Sequence, residues 1–307
     1  MIRFFGFLVG LGFVTVAAWA LGWGAYAYIS DPPKPTVEHH FHEHPKSVAY
    51  SFDGPFGKYD RAQLQRGFQV YKEVCASCHS LGYVAFRDLE ALGYGEAEIK
   101  AIADKWSTQV PDIDPKTGEA TTRKALPADH FPSPYANETA ARGANNNALP
   151  PDLSLMTKAR EGGPAYVYSL LTGYRNPPAN LPAESRPGKN LHYNPWFANL
   201  NIAMPPPLTT EGQVAYAAGN PPATVDQMAK DVSAFLAWTA EPKLENRRAT
   251  GLAVLLFLIA GTVLAYMAYQ NVWHGPTSRR VRHTGALDPE NMAKRDAASR
   301  EAGIEGN

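Results

Sequence analysis

Cys75-Ala76-Ser77-Cys78-His79 places two thiols three positions apart, with an imidazole immediately after the second. That pattern is the attachment signature of a covalent c-type haem. Two thiols at this spacing near a helix end reach both vinyl groups of one porphyrin, and the next residue offers a nitrogen to the iron. Other readings of the five residues fail against the rest of the chain. A redox-active Cys-x-x-Cys has no need of His79 and belongs to a strand-helix unit that the flanking sequence lacks. A structural zinc site wants four ligands, yet Cys75 and Cys78 are the only cysteines in 307 residues. With both given to the haem, none remains for a disulfide.

The chain is long enough for one large domain or two ordinary ones. Its formal net charge is zero, so nothing in the overall balance points to nucleic acid. The hydropathy is more telling. From Gly251 to Val272 no charged side chain occurs, a run that matches the hydrocarbon thickness of a bilayer. Arg247 and Arg248 flank one end; Tyr266, Tyr269 and Trp273 form an aromatic belt at the other, ahead of Arg279, Arg280 and Arg282. A transmembrane helix is therefore expected over residues 250–273. A second apolar segment runs uncharged from Phe4 to Ser30 behind Arg3. Ala25-Tyr26-Ala27 has the small-x-small form of a signal cleavage site, while the segment is longer than an ordinary signal core. Residues 1–30 read equally as a removed signal peptide, with residues 1–27 cleaved, or as a retained anchor. Both readings export the domain that carries the haem, and neither resembles an Arg- and Ser-rich transit peptide.

Residues 31–59 are rich in Pro and His without a sustained period, and read as an extended surface arm. His39, His40, His42 and His44 in it have no recognised metal-ligand spacing. Residues 60–245 form the haem domain. Asp60 and Gln63 make a capping-box pattern ahead of Leu64, Phe68 and Tyr71, which share one helical face and lead to Cys75. Thr224 and Gln227 repeat the pattern ahead of Met228, Val232, Phe235 and Thr239, and Glu241-Pro242 ends that helix. Two amphipathic helices bracketing a domain resemble the crossed terminal helices of a class I cytochrome c. Between them Gly95–Trp106 and Pro164–Tyr174 read as helical, with Pro- and Asn-rich loops. The expected fold class is mainly α: a cytochrome c-like domain with long loops, plus a C-terminal transmembrane helix. Residues 274–307, mixed in charge, read as a disordered cytoplasmic tail.

An iron that shuttles electrons needs a second axial ligand opposite His79, and thioether sulfur raises the potential where a second histidine would lower it. Met1 is the start, Met267 lies in the membrane run, Met292 in the tail and Met228 on an apolar helix face. Met156 and Met204 remain. Met204 is the stronger candidate, because Pro205-Pro206-Pro207 keeps its segment rigid and non-helical. His130 and His192 are the fallback ligands.

A longer series of motifs stands in order along the chain. Arg66-Gly67-Phe68-Gln69-Val70-Tyr71 runs into Cys75–His79, and Tyr83-Val84-Ala85 and Arg87 come next. Then come Ala141-Arg142, Ala144-Asn145-Asn146 and Ala148-Leu149-Pro150-Pro151-Asp152-Leu153-Ser154. Tyr168-Ser169-Leu170-Leu171-Thr172-Gly173-Tyr174, Asn194-Pro195, Ile202-Ala203-Met204 with Pro206-Pro207, and Met228-Ala229-Lys230-Asp231-Val232 complete the set. From about Gly54 to Trp273 the chain thereby resembles the cytochrome c1 family, haem subunits of ubiquinol:cytochrome c oxidoreductase, the cytochrome bc1 complex or complex III. The Pro-rich stretch from Asn176 to Lys189 matches poorly.

The resemblance implies one haem c, with thioether bonds to Cys75 and Cys78 and axial iron ligation by His79 and Met204. It also implies that Arg160 pairs with a haem propionate and that Tyr166, Asn145 and Pro151 line the pocket. The implied role is membrane-anchored, single-electron transfer from a Rieske iron-sulfur protein to a soluble or tethered cytochrome c. No acid-base catalytic residue is implied; quinol oxidation falls to other subunits of a dimeric complex that includes cytochrome b. Because the start of the chain lacks the composition of a transit peptide, the expected address is a bacterial inner membrane with the haem domain on the periplasmic side. A subunit of another membrane oxidase or dehydrogenase, or a haem sensor, would share the attachment stretch alone. Between Asp88 and Asp129 nine acidic residues face five basic ones, an excess able to steer a basic cytochrome c or simply to solvate the surface.

Overall fold

The computed structural model describes residues 2–32, 36–273 and 289–301, and it is predominantly helical, as the patterns require. In chain order the first helices are α1 (Ile2–Ser30), α2 (Val37–Phe41), α3 (Arg61–Glu73) and α4 (Glu96–Asp104). An antiparallel hairpin, β1 (Val110–Ile113) and β2 (Ala120–Arg123), precedes α5 (Glu138–Ala144), α6 (Met156–Ala159) and α7 (Gly163–Leu171). A two-residue ribbon, β3 (His192–Tyr193) on β4 (Asn201–Ile202), precedes α8 (Val225–Ala240), α9 (Leu244–Trp273) and α10 (Pro289–Glu301). The chain divides into two units, Met1–Tyr50 with Asp60–Ala240, and Ser51–Tyr59 with Glu241–Asn307.

The first unit is organised by α3 against α8. Asp60 caps α3 by accepting from the Ala62 and Gln63 amides, and Thr224 Oγ1 accepts from the Gln227 amide at 3.1 Å. Leu64, Phe68 and Tyr71 are all buried, as are Met228, Val232, Phe235 and Thr239 of α8. Their rings continue into one aromatic cluster: Phe68 and Tyr71 each lie 5.7 Å from Phe235, and Phe131 packs 4.3 Å from Phe86 and 4.8 Å from Trp106. The two helices touch at Gly67, where an added Cβ would sit 2.1 Å from the Asp231 carbonyl oxygen and 2.7 Å from Phe235 Cβ. Beside that contact the Asp231 carboxylate is fully buried. It accepts from Gln63 Nε2 (3.1 Å), Arg66 Nε (2.8 Å), Arg66 Nη2 (3.2 Å), Tyr216 Oη (3.0 Å) and Gln227 Nε2 (2.8 Å). Burial works against the Arg66 charge, but its bonds to Asp231 more than offset this and hold the guanidinium above its usual value.

The arm is less extended than the sequence reading has it. Thr36 caps the short helix α2, and Val37 and Phe41 pack on a small cluster of Leu181, Tyr193 and Leu200. Leu181 comes from the poorly matching Pro-rich stretch, whose Arg186 folds back on the Ala179 and Leu181 carbonyls. Further on, the Lys46 amide donates to Ser169 Oγ at 2.8 Å and its ammonium lies 4.7 Å from the Trp196 ring centre. Among the described residues no set of three His, Cys, Asp or Glu side chains is arranged to hold a metal ion; the His39 and His40 rings meet edge to face, as do those of His42 and His44.

In the second unit Ser51–Tyr59 braces the start of α9. Arg248 Nη1 donates to the Phe52 and Gly57 carbonyls, both at 2.8 Å, and the Tyr59 amide donates to Glu245 Oε1 at 2.9 Å. Gly57 is required there, since a Cβ would lie 2.2 Å from the Asp53 carbonyl oxygen. Two helices are long and apolar enough to cross a membrane, Arg3–Ser30 and Leu244–Val272, and the apolar stretch of each is exposed. In α1 Trp19 stacks on Trp23, which in turn touches Tyr26. Within the region read as a disordered tail, residues 289–301 are helical, with Pro289 at the first position and Ala, Lys, Arg and Glu favouring the helix over its length; the rest of it lies outside the described residues. Arg279, Arg280 and Arg282 lie outside the described residues.

Gly67→Ala should destabilise the first unit by roughly 1–3 kcal/mol despite alanine's better helix propensity, because the methyl group meets backbone. Asp231→Ala should cost about 3–5 kcal/mol by leaving Arg66 buried without its counter-charge. Denaturant unfolding of the full-length protein in detergent measures both.

Candidate functional site

α3 ends at Glu73, and a single 3-10 turn, Cys75–Ser77, comes at once after it. The Cys78 and His79 amides donate to the Cys75 carbonyl at 3.1 and 2.9 Å, so the attachment stretch is one tight hydrogen-bonded loop. Both cysteines are free thiols and half-buried. Burial, with Cys78 nearby, pushes the Cys75 thiol up to about 12. From within α3 the buried Tyr71 donates its hydroxyl to the His79 carbonyl at 3.1 Å, locking the loop to the helix that carries it.

The imidazole is oriented from a distant part of the chain. His79 Nδ1 lies 2.8 Å from the Pro151 carbonyl oxygen, which can only accept; Nδ1 therefore carries the proton and Nε2 keeps its lone pair. Burial lowers the His79 pKa, against smaller raising effects of the Pro151 bond and Asp152. A neutral imidazole presenting Nε2, held through Nδ1–H to a carbonyl, is the arrangement of a metal-ligating histidine. The segment bearing Pro151 is pinned by its neighbour. Asp152 Oδ2 accepts from Ser80 Oγ (2.8 Å) and the Gly82 amide (2.7 Å), and Oδ1 accepts from the Ser154 amide (2.8 Å). The Tyr83 amide donates to Ser154 Oγ, and the Leu153 amide to the Ser80 carbonyl. Burial alone would raise the Asp152 carboxyl, but these donors hold it below the usual carboxylate range.

Met204 lies just past β4, half-buried, and its carbonyl accepts from the Tyr174 hydroxyl at 3.1 Å. Arg160 is exposed and hydrogen-bonds Tyr166, a phenol that burial pushes up and Arg160 draws back down. Asn145 closes α5, and its amide donates to the Ala141 carbonyl (2.7 Å) and Tyr135 Oη (2.9 Å). The next two residues, Asn146 and Asn147, take the left-handed backbone that asparagine tolerates. Met156 opens α6, and Met228 is fully buried in α8. Of the fallback histidines, His130 Nδ1 meets the Gly82 carbonyl at 2.7 Å, and His192 packs on Tyr174.

The donor set suits a covalent c-type haem: two unpaired thiols on a short loop, a pre-oriented neutral imidazole, and a thioether in a proline-stiffened segment. Tyr71, Asp152 and Tyr174 hydrogen-bond the segments that bear these residues, and the sequence reading assigned them no role at the site. Tyr71 had a local signal, lying one helical turn before Cys75; the partners of the other two are distant in sequence. In the Asp88–Asp129 region Glu96, Asp104, Asp112 and Asp129 are paired with Lys100, Lys124 and Arg123, which reduces the acidic surface left for docking.

The model of the Cytochrome C1 family matches residues 50–275. The chain belongs to the cytochrome c1 family. A relative from Rhodospirillum rubrum, "Cytochrome c1", is 45% identical over 246 residues, 76% of this chain and 87% of that one. "Cytochrome c1 1, heme protein, mitochondrial" from Arabidopsis thaliana is 47% identical over 230 residues, 75% and 72% of the two chains. "Cytochrome b/c1" from Bradyrhizobium diazoefficiens is 44% identical over 250 residues, 75% of this chain but 35% of that longer protein. The cytochrome c1 match takes in the attachment loop, the Pro151–Ser154 clamp and α9, and leaves out α1.

Asp152 predicts an acid limit. A carboxyl held below its unfolded value of about 3.9 contributes stability above that pH and loses it as the pH falls through the folded value. Unfolding measured from pH 7 to 3 should show wild type losing stability below about pH 4, with a shallower dependence in Asp152→Asn.

Proposed function

We propose that this chain is the membrane-anchored haem subunit of a bc1-type quinol:cytochrome c oxidoreductase, carrying single electrons from a Rieske iron-sulfur protein to a soluble or membrane-tethered cytochrome c. The observation that carries the reading is the Cys75–His79 loop with His79 Nδ1 bonded to the Pro151 carbonyl, in a chain of the cytochrome c1 family. One haem c, when bound, supplies an iron that alternates between two oxidation states. Cys75 and Cys78 would hold it through thioethers, and His79 Nε2 and Met204 Sδ would be the axial ligands. Arg160 would pair with a propionate, since a guanidinium stays charged and binds carboxylate in a fork. Tyr166, Asn145 and Pro151 would line the pocket.

The chain's own residues then have defined tasks. Tyr71 and Pro151 hold the ligating histidine in one orientation and one tautomer, which limits reorganisation when an electron arrives. A thioether among the ligands would keep the potential of such an iron high. The aromatic cluster behind α3 excludes water from that side of the loop, and no proton-transfer group is required. α9 anchors the unit in the membrane, and the apolar, exportable α1 together with the bacterial relatives supports a bacterial inner membrane with the haem domain on the periplasmic side. The name of the Bradyrhizobium protein, joining b and c1, supports cytochrome b as a partner. The complex is proposed to be dimeric. The acidic surface that remains exposed between Asp88 and Asp129 would attract a basic cytochrome c.

Purification from membranes should yield a c-type spectrum with a b-type cytochrome and an iron-sulfur protein in fixed ratio; isolation without them would refute the assignment to this complex. Met204→Leu should retain covalent haem, lower the midpoint potential and let carbon monoxide bind the reduced protein. Cys75→Ser with Cys78→Ser should abolish covalent attachment, seen as loss of haem staining on a denaturing gel.

A further inference from the structure

The loop that carries Met204 is poor in means of holding itself. Pro205, Pro206 and Pro207 have no N–H, so the chain immediately after Met204 cannot be tied down through its own donors. Before it stands only a two-residue ribbon, entered through Leu200 in the left-handed backbone region at φ 66°. Three residues on, the Pro207 carbonyl accepts from Gln213 Nε2 at 2.8 Å, and at Met204 itself a hydroxyl from another element reaches the carbonyl.

That hydroxyl belongs to Tyr174, and its placement is rigid. α7 ends at Leu171, and the chain then passes through the buried Gly173, where a Cβ would lie 2.3 Å from Trp196 Cε3 and 2.6 Å from the Ser169 carbonyl oxygen. Only glycine lets the backbone pass this close to the indole, so the exit point of Tyr174 is set by packing. Asn194 ties the same helix end to the ribbon, its Nδ2 donating to the Leu170 carbonyl and its amide to the Leu200 carbonyl, both at 2.8 Å. The Tyr174 ring rests edge-on against His192 of β3, 6.4 Å between centres, and its hydroxyl donates to the Met204 carbonyl at 3.1 Å.

We propose that Tyr174 is the positioning residue for Met204: its hydroxyl holds the proline-stiffened loop so that the thioether is presented to the iron without a search. The proposal rests on the reading of Met204 as axial ligand. A neutral thioether gains no charge-assisted attraction to the metal, so its occupancy depends on how little freedom its loop has to lose. Removing one hydrogen bond of ordinary net strength, about 1 kcal/mol, shifts such an equilibrium about fivefold.

The test uses full-length holoprotein in detergent. Tyr174→Phe keeps the ring and removes the hydroxyl; Tyr174→Leu removes both. With Tyr174→Phe, covalent haem and cooperative unfolding should persist. The sulfur-to-iron absorption band of the oxidised protein should weaken, and the affinity of the reduced protein for carbon monoxide should rise about fivefold. In a Met204→Leu background the same change should have no further effect on carbon monoxide affinity. Wild-type behaviour of Tyr174→Phe would overturn the proposal, even with Tyr174→Leu impaired, because the ring alone would then matter. Loss of folding in Tyr174→Phe would overturn it as well, since a hydroxyl that holds only a loop is dispensable to the fold. Should Met204→Leu itself leave the band and the exclusion of carbon monoxide intact, it is the ligand assignment of Met204 that falls.

Discussion

The buried carboxylate of Asp231 is the constraint on which the haem domain depends. It sits where α3 and α8 come close enough that only glycine fits at position 67, and it takes hydrogen bonds from Gln63, Arg66, Tyr216 and Gln227. A charge without water needs its lone pairs filled, and that need dictates which side chains converge there. Both glutamines that open their helices contribute their side-chain amides to Asp231, so capping and crossing are parts of one network. With the crossing set, the end of α3 is set, and with it the point at which Cys75 leaves the helix.

The attachment loop gains its definition from two sides. Tyr71 holds the His79 carbonyl from within α3, while Pro151 holds the imidazole from a segment 72 residues away. Asp152 makes that second contact dependable by binding Ser80 and Gly82, on the far side of the histidine. A side chain held at both backbone and ring could accept a change of charge on an atom it binds with little motion. At Met204 the same logic is carried by Tyr174 and the close passage of Gly173 over Trp196, with prolines supplying stiffness where hydrogen-bond donors are lacking.

Much of this architecture is written locally. The capping residues Asp60 and Thr224, the apolar faces of α3 and α8, the stop at Pro242 and the long uncharged run of α9 are all short-range signals, and the helices obey them. Where the sequence reading missed structure, opposing effects nearly balance. α2 is five residues long and depends on its contact with Leu181, Tyr193 and Leu200, which composition cannot reveal. The α10 sequence has good helix formers but no apolar stripe, so periodicity, the signal used to find helices, is silent there.

At the site the same division holds. Cys75, Cys78 and His79 stand out from sequence alone because the covalent attachment proposed for them would need two thiols and an imidazole at fixed spacing, a requirement met within five consecutive residues. A bilayer's thickness likewise imposes a run of fixed length, so the span of α9 is legible without a fold. The tautomer of His79, the clamp of Asp152 on Ser80 and Gly82, and the hold of Tyr174 on Met204 were decided by tertiary structure. Each is a directional hydrogen bond, with a reach of about 3 Å, between groups far apart in the chain, and no local pattern encodes which distant donor will arrive.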